Sequence, residues 1–583
     1  MRILGLFVGK DSGVALIDNG SIVYAANEER FSRNKMHTGF PVRALGNLWE
    51  HTGLAPKDID HIAFGGTTRP ASDNALGIST LNTNMLRRFA GTLSQYAGRL
   101  LETELAYHSI RLILRLRTRQ GLLKKEIRQH GLTAPVTFVD HHECHAYSAY
   151  FTSGFPECVV VTSDGGGDGV SGGVYLGQQG HLRRVSYTPR IHSAGNFWMY
   201  ITFLLGMDPW RHGGKVTGLA AYEPCDEAYR TLLDAYGYSK EKLWFLNKKR
   251  LFLLPAIEYL QKTLKPFNSK QIAYGAQRLL EYALVGVTET AMRQYPLQNL
   301  ALAGGTFANV RLNQLLFRLS QVKEGFIHPH MGDGGIPLGA AYAAWARLDN
   351  PSAARWCASE RSLISHVYLG PDYTRDQMQE VLEFEGCEYE LHESGLEQEV
   401  AELLLKDNVV AVFRGRMEYG PRSLGNRSIL YGASDPNINT WLNRQLNRTE
   451  FMPFAPVVTQ EAAPNYFLDL EQSARAASFM TVTCDCTDRM KQRCAAAVHL
   501  DGTARPQLVS RSGNLFMHNI LTAYGKRSGD PVLVNTSFNM HEEPIVASPA
   551  DAIRAFRLGH LDVLVMGQFV VKSKHINEKR AAD

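Results

Sequence analysis

A chain of 583 residues is too long for one hydrophobic core, so two or three domains are expected. The composition, 44% apolar and 20% charged, is that of a folded globular protein and excludes disorder as a description of the whole chain. A net charge of +5 is far from the concentrated basic face of a nucleic-acid binder, and eight scattered cysteines with no CxxC pairs exclude a secreted disulfide scaffold and point to a reducing, cytoplasmic setting.

The first residues, MRILGLFVGKDSG, reach Asp11 before a long apolar stretch can develop. No window approaches eighteen uncharged apolar residues, so neither a signal peptide nor a membrane span is expected. The text then reads as strand, turn, strand: ILGLFV, GKDSG, VALIDNG, SIVYAANE. A short turn carrying an acid and small residues suits a phosphate-facing hairpin, and an ordinary hairpin is the plainer alternative. From Leu81 to His130 apolar residues recur at helical spacing among many arginines, which predicts amphipathic helices with a solvated basic face rather than a membrane or polyanion surface.

After Pro135 apolar strands alternate with glycine-rich turns and helical stretches, as in VVVTSDGGGDGVSGGVYLG and LALAGGTFANVRLNQLL, an α/β succession. Small and polar residues without a strong period run from Leu348 to Ser362, and a boundary is expected there, giving domains of 1–355 and 365–583. The second begins with a helix, LEQEVAELLLKDN, and a strand, VVAVF, and ends in the strand-like LDVLVMGQFVVK. No internal repeat is visible.

Several constellations carry chemistry. In VDHHECHAYSAY, His141 and His145 are four residues apart, so on a helix both imidazoles leave one face about a turn apart, as a shared cation requires. Asp164 in TSDGGGDG and Asp333 in MGDGGIPLG sit in glycine-rich turns at strand ends, where a carboxylate can meet a metal or simply cap its own turn. Two imidazoles with two carboxylates suit Fe2+, Mn2+ or Zn2+ without choosing among them. Gly304 and Gly305 lie between a strand and a helix, where backbone amides can meet a nucleotide. In FRGRMEYGPRSLGNRSIL, Arg414, Arg416, Arg422 and Arg427 are laced with Gly and Pro, a pattern suited to a phosphate rather than to a solvated charge run. Arg505 and Gln507 follow in DGTARPQLV, then Asn535, Ser537 and Asn539 in VNTSFNM offer short donors.

Taken with EERFSRNKMHTGFP, GGKVTGLAAY and MPFAPVV, these segments resemble the O-carbamoyltransferase family of nodulation, cephamycin and tobramycin enzymes nearly end to end. The resemblance implies an N-terminal actin-like ATPase (ASKHA) fold of two subdomains, related to the tRNA threonylcarbamoyl transferase, and a C-terminal YrdC-like α/β domain. It implies that the second domain makes carbamoyl-AMP from carbamoyl phosphate and ATP, with Mg2+ expected alongside ATP, and that the first transfers the carbamoyl group to a hydroxyl of a small-molecule acceptor at a metal, usually iron. Carried over, His141, His145, Asp164 and Asp333 become metal ligands; Lys215, Gly304, Gly305 and Asn309 bind nucleotide; Arg416, Arg422, Arg448, Arg505 and Ser537 bind carbamoyl phosphate. Many relatives have His-Asp in the first hairpin where this chain has Lys10 and Asp11, so the base that deprotonates the acceptor falls to Lys10, with a lowered pKa, or to Asp11. Asn447 and Met452 stand where relatives carry cations, leaving Arg444 or Arg448 to supply the charge. Neither nucleic acid nor membrane is an expected partner, and family analogy admits a homodimer. The other functions weighed are a tRNA threonylcarbamoyl-type transferase and a non-catalytic nucleotide-binding scaffold.

Overall fold

The computed structural model describes residues 1–67, 120–359, 362–446 and 453–573, so residues 81–119 of the basic segment and Asn447, Arg448 and Met452 lie outside the described residues. Two compact units result, one of residues 1–25, 36–42 and 53–364, the other of residues 26–35, 43–52 and 365–583. Residues 26–35 and 43–52, which a division in sequence order leaves with the first half, pack in the second unit. The 348–362 stretch is not irregular: Asn350–Cys357 is a helix, started by the Asp349 side chain accepting from the Ser352 amide with Pro351 in the first turn.

The first unit contains two five-stranded sheets. One comprises β1 (Arg2–Phe7), β2 (Gly13–Asp18), β3 (Ser21–Asn27), β4 (His61–Gly65) and β5 (Val136–Val139), in the order β3-β2-β1-β4-β5. β1 runs antiparallel to β2 and parallel to β4, which is parallel to β5. The other is formed by β6 (Glu157–Gly167), β7 (Val170–Gln178), β8 (His181–Pro189), β11 (Asn299–Ala303) and β12 (Glu324–Ile327), ordered β12-β11-β6-β7-β8; β9 (Tyr236–Ser239) and β10 (Trp244–Asn247) form a separate hairpin. Here β6 is antiparallel to β7 and parallel to β11, which is parallel to β12.

The two sheets therefore share one order and one set of directions, with β1 matching β6 and β5 matching β12. This doubling, which no sequence repeat announced, is the arrangement a two-subdomain actin-like architecture calls for. Each fifth strand is followed by a helix, His141–Thr152 after β5 and Ile336–Leu348 after β12, and these two pack on each other. Glycine permits the approach: a Cβ added at Gly339 would lie 1.8 Å from the Cys144 carbonyl oxygen, and one at Gly5 of β1 1.8 Å from that of Pro337. The first-position strands read as continuous apolar runs, with Ile3, Leu4, Leu6, Val159 and Val160 buried, as expected of strands covered on both faces.

The second unit is built on an eight-stranded mixed sheet, β13 (Glu390–Leu391), β22 (Phe569–Lys572), β21 (Val563–Met566), β14 (Val410–Phe413), β15 (Arg427–Gly432), β20 (Val532–Ser537), β16 (Ala455–Thr459) and β19 (Gln507–Val509) in that order, with β17 (Cys484–Asp485) and β18 (Thr503–Ala504) paired apart. Its core joins Leu396, Val400 and Leu404 of the Leu396–Leu405 helix and Met517, Ile520 and Leu521 of the Leu515–Ser528 helix to Val410, Val412, Leu430 and Leu533 of the sheet. The terminal apolar run is a hairpin rather than one strand, because Gly567 turns it at a positive φ of 61°.

Candidate active site

Asp140 caps the helix after β5, its side chain accepting from the His142 and Glu143 amides, which starts the helix at His141 and sets His141 and His145 on one face. The Oδ2 of Asp168 accepts from the amides of His141 (3.0 Å) and Thr67 (2.8 Å), fixing the entry of the helix against the end of β4. Gly167 is required beside it, since an added Cβ would sit 2.3 Å from Cγ of His141. Asp164 projects from the β6 end and Asp333 from the turn that opens the helix after β12.

These four side chains converge. The Nε2 atoms of His141 and His145 lie 3.4 and 3.2 Å from Asp164 Oδ2, and 3.5 and 3.6 Å from Asp333 Oδ1. Four ligands held at about 2.1 Å from a tetrahedral metal are separated from each other by about 3.4 Å. One ligand atom from each residue lies within 4.8 Å of the others, a grouping able to hold one cation. Its electrostatics asks for positive charge. Burial opposes protonation of His141, but Asp333 and Asp164 outweigh it and push its pKa up to about 9. Burial likewise works against the Asp164 carboxylate, yet hydrogen bonds from His141 and His145 hold it well below the usual range, whereas burial and the charge of Asp164 raise Asp333. The mixed imidazole and carboxylate donors suit a first-row divalent cation, and nothing in them selects which.

Around the tetrad, Gly305 borders Asp164: an added Cβ would be 3.5 Å from its Oδ1. Asn309 caps the Val310–Phe317 helix through the Leu312 amide and exchanges two hydrogen bonds with Gln277, so its side chain holds structure together. Lys215 is buried on the short Gly213–Leu219 helix, which, like the helix Asn309 caps, packs on the long Ser269–Gln294 helix. Lys10 places its Nζ 3.8 Å from the centroid of the Trp210 ring. Asp11, at a positive φ of 63°, brings Oδ2 within 3.5 Å of the Nε2 of His330. Sequence reasoning passed over His330, which immediately precedes the quoted MGDGGIPLG, and it passed over Asp168 in GGGDG.

In the second unit the arginine-rich segment divides. Arg427 is fully buried, donates to the carbonyls of Arg414 and Asn426 at 2.9 Å and lies 3.8 Å over Phe413; burial lowers its pKa to about 10. Arg416 donates to the Gly370 and Leu369 carbonyls, and Arg414 stacks on Phe516 at 4.0 Å. Arg422 is half-buried in a loop organised by the buried Glu418, whose Oε1 accepts from the amides of Leu424, Asn426 and Arg427. Strand register then gathers the other expected contacts: Ser428 of β15 faces Ser537 of β20, Asn535 faces Ala455 of β16, and Val457 faces Gln507 of β19, just after Arg505. Ser537, Arg505 and the loop that carries Arg422 thus lie at one end of strands β15, β20, β16 and β19. Gln507 ties that end to the loop by donating to the Leu424 carbonyl (2.8 Å) and accepting from Asn535 (2.6 Å). Arg444 is exposed on the Ile438–Gln445 helix, and Arg448 lies outside the described residues.

Comparison with known proteins agrees with both units. Residues 2–342 match the family described as carbamoyltransferase N-terminus and residues 401–573 the one described as carbamoyltransferase C-terminus. The chain is similar to nodulation protein NolNO of Sinorhizobium fredii, 32% identical over 97% of this chain and 79% of the relative. It is also similar to the uncharacterized protein MJ1051 of Methanocaldococcus jannaschii, 28% identical over 98% and 99%. Component A of the Acidaminococcus fermentans (R)-2-hydroxyglutaryl-CoA dehydratase aligns with 60% of this chain and 98% of its own, at 14% identity and a TM-score of 0.33.

Proposed function

The chain belongs to the carbamoyltransferase family, and from that premise we propose that it is an ATP-dependent O-carbamoyltransferase acting on a hydroxyl of a small molecule, a sugar or specialised metabolite. In the second unit, in a YrdC-like role, one water hydrolyses carbamoyl phosphate, breaking its bond to phosphate to give carbamate and free phosphate. The carbamate oxygen attacks the α-phosphorus of ATP, carried with Mg2+, and pyrophosphate leaves, giving carbamoyl-AMP. Arg422, Arg505 and Ser537 would neutralise and orient the phosphates at that end of the strands, where removal of water protects a labile anhydride. The first unit then passes the carbamoyl group to the acceptor oxygen and releases AMP. His141, His145, Asp164 and Asp333 would hold the cation, iron(II) by family analogy, whose chemistry is that of a Lewis acid toward the carbonyl.

The convergence of those four side chains at 3.2–3.6 Å is the observation that carries the reading. Metal-loaded protein incubated with ATP and carbamoyl phosphate should release pyrophosphate only when both are present, and carbamoyl-AMP should be recoverable by mass spectrometry. Absence of both products from protein with full metal content would end the proposal.

A further inference from the structure

An acceptor hydroxyl must lose its proton as it attacks, and the side chain the family resemblance offers for this, at position 10, is a lysine held over an indole ring. We propose that His330 is the general base of the transfer step and that Asp11 is the residue that positions it, an assignment that rests on the carbamoyl-transfer reading above.

The doubled fold supplies the argument. Asp164 stands at the end of β6, and it pairs with the imidazoles of the helix that follows β5. Asp11 follows β1, the counterpart of β6, and it pairs with the imidazole of the segment that follows β12, the counterpart of β5. Each half of the first unit therefore sends a strand-end carboxylate to an imidazole of the other half. One crossed set gains Asp333 and becomes the metal tetrad; the other, Asp11 with His330, stands outside that tetrad. His330 and Asp333 belong to one turn, three residues apart, so the base and a metal ligand are carried by the same short segment. The pair is largely withdrawn from solvent, with 7% of the His330 and 18% of the Asp11 side chain exposed. The 3.5 Å separation is long for a hydrogen bond, as is usual for a catalytic pair without substrate.

The roles follow from the atoms. Nε2 of His330 faces the Asp11 carboxylate, which accepts only, so a neutral ring that donates to Asp11 carries its proton on Nε2. The unprotonated ring nitrogen takes the acceptor O–H proton while the oxygen bonds to the carbamoyl carbon. The bond from that carbon to the phosphoryl oxygen breaks, and AMP departs with the electron pair. Asp11 meets the resulting imidazolium with a full negative charge.

The test needs no knowledge of the natural acceptor. Full-length metal-loaded protein is given ATP and carbamoyl phosphate with water as the acceptor, which needs a base, or with hydroxylamine, which attacks unassisted. His330→Gln should slow AMP release to water about 100-fold while ATP-dependent hydroxyurea formation stays within about threefold and metal content and the first-turnover pyrophosphate are unchanged. Asp11→Asn should slow the water reaction by about tenfold with the same sparing of hydroxylamine, a selectivity that a merely structural defect would not produce. Equal loss of both reactions in both variants, or an undiminished water reaction in His330→Gln, overturns the assignment. If the unmodified protein makes no pyrophosphate at all, the carbamoyl-adenylate reading is lost first and the base assignment with it.

Discussion

His141 shows how a metal ligand behaves before its metal arrives. Two carboxylates raise its pKa from 6.5 to about 9, so in the metal-free protein the tetrad holds a proton at neutral pH. A cation must displace that proton, and apparent affinity should climb about tenfold per pH unit below pH 9 and then level off. The effect on folding has the opposite sign. A pKa raised by folding stabilises the protein fully below the unfolded value of 6.5 and loses that contribution as pH rises toward 9. Chelator-treated protein should therefore lose melting temperature between pH 6.5 and 9 relative to the metal-loaded form, and a widening gap by differential scanning fluorimetry checks both signs together. His145 brings its Nε2 to both carboxylates and is fully buried, so His145→Ala should cost at least 100-fold in metal affinity and in carbamoyl transfer. Pyrophosphate release should survive, because Arg505 and its neighbours belong to another unit. Arg505→Ala should reverse that pattern, and chromatographic separation of AMP, ATP and pyrophosphate would reveal it.

At the scale of elements, a loop and a helix pair hold the two sites in shape. Glu418 gathers three amides at the end of the loop that carries Arg422, and replacing it with Ala leaves three donors, two of them buried, without this acceptor. A loss of about 3 kcal/mol is expected from such a cluster. Glu418→Ala should abolish pyrophosphate release while leaving metal binding intact, as separate titrations would show. The helices that carry the tetrad were legible in part. The HxxxH spacing declared the first, and GDGG ahead of an apolar run declared the turn before the second. The closeness of those helices was not legible, because it depends on Gly339 having no Cβ opposite the Cys144 carbonyl, and one glycine in a small-residue run looks like any other. The partners within the arginine segment were hidden for a related reason. Four guanidinium groups in one short stretch suggest a single anion site, yet Arg427 and Arg416 turn to backbone carbonyls that only the folded sheet provides. Glu418, an acid among arginines, gave no sign that it would bind amides.

The whole molecule is less sequential than its text. The doubled sheet left no visible repeat because its two copies share directions and order rather than side chains; Asp11 and Asp164 are among the few residues whose chemistry survives in both. The passage of residues 26–35 into the second unit was likewise hidden, since EERFSR reads as the continuation of the first hairpin. Its physical reason is carried by two arginines. Arg30 is buried and donates to the Gly420 carbonyl at 2.6 Å, directly beside the Arg422 loop. Arg33 donates to the carbonyls of Pro544 and Ile545, both at 2.8 Å, and stands 3.4 Å from Asp551. Removing either would take the donor from those carbonyls. Arg33→Ala should therefore destabilise that unit by about 3 kcal/mol, as loss of a largely buried, multiply bonded cation does. In a calorimetric scan of the full chain with metal bound, the transition insensitive to chelator should move down by several degrees, and the metal-sensitive one should hold its place. A uniform downward shift of both transitions would mean that this early segment supports the first unit instead, and that the second acquires its stability from residues 365–583 alone.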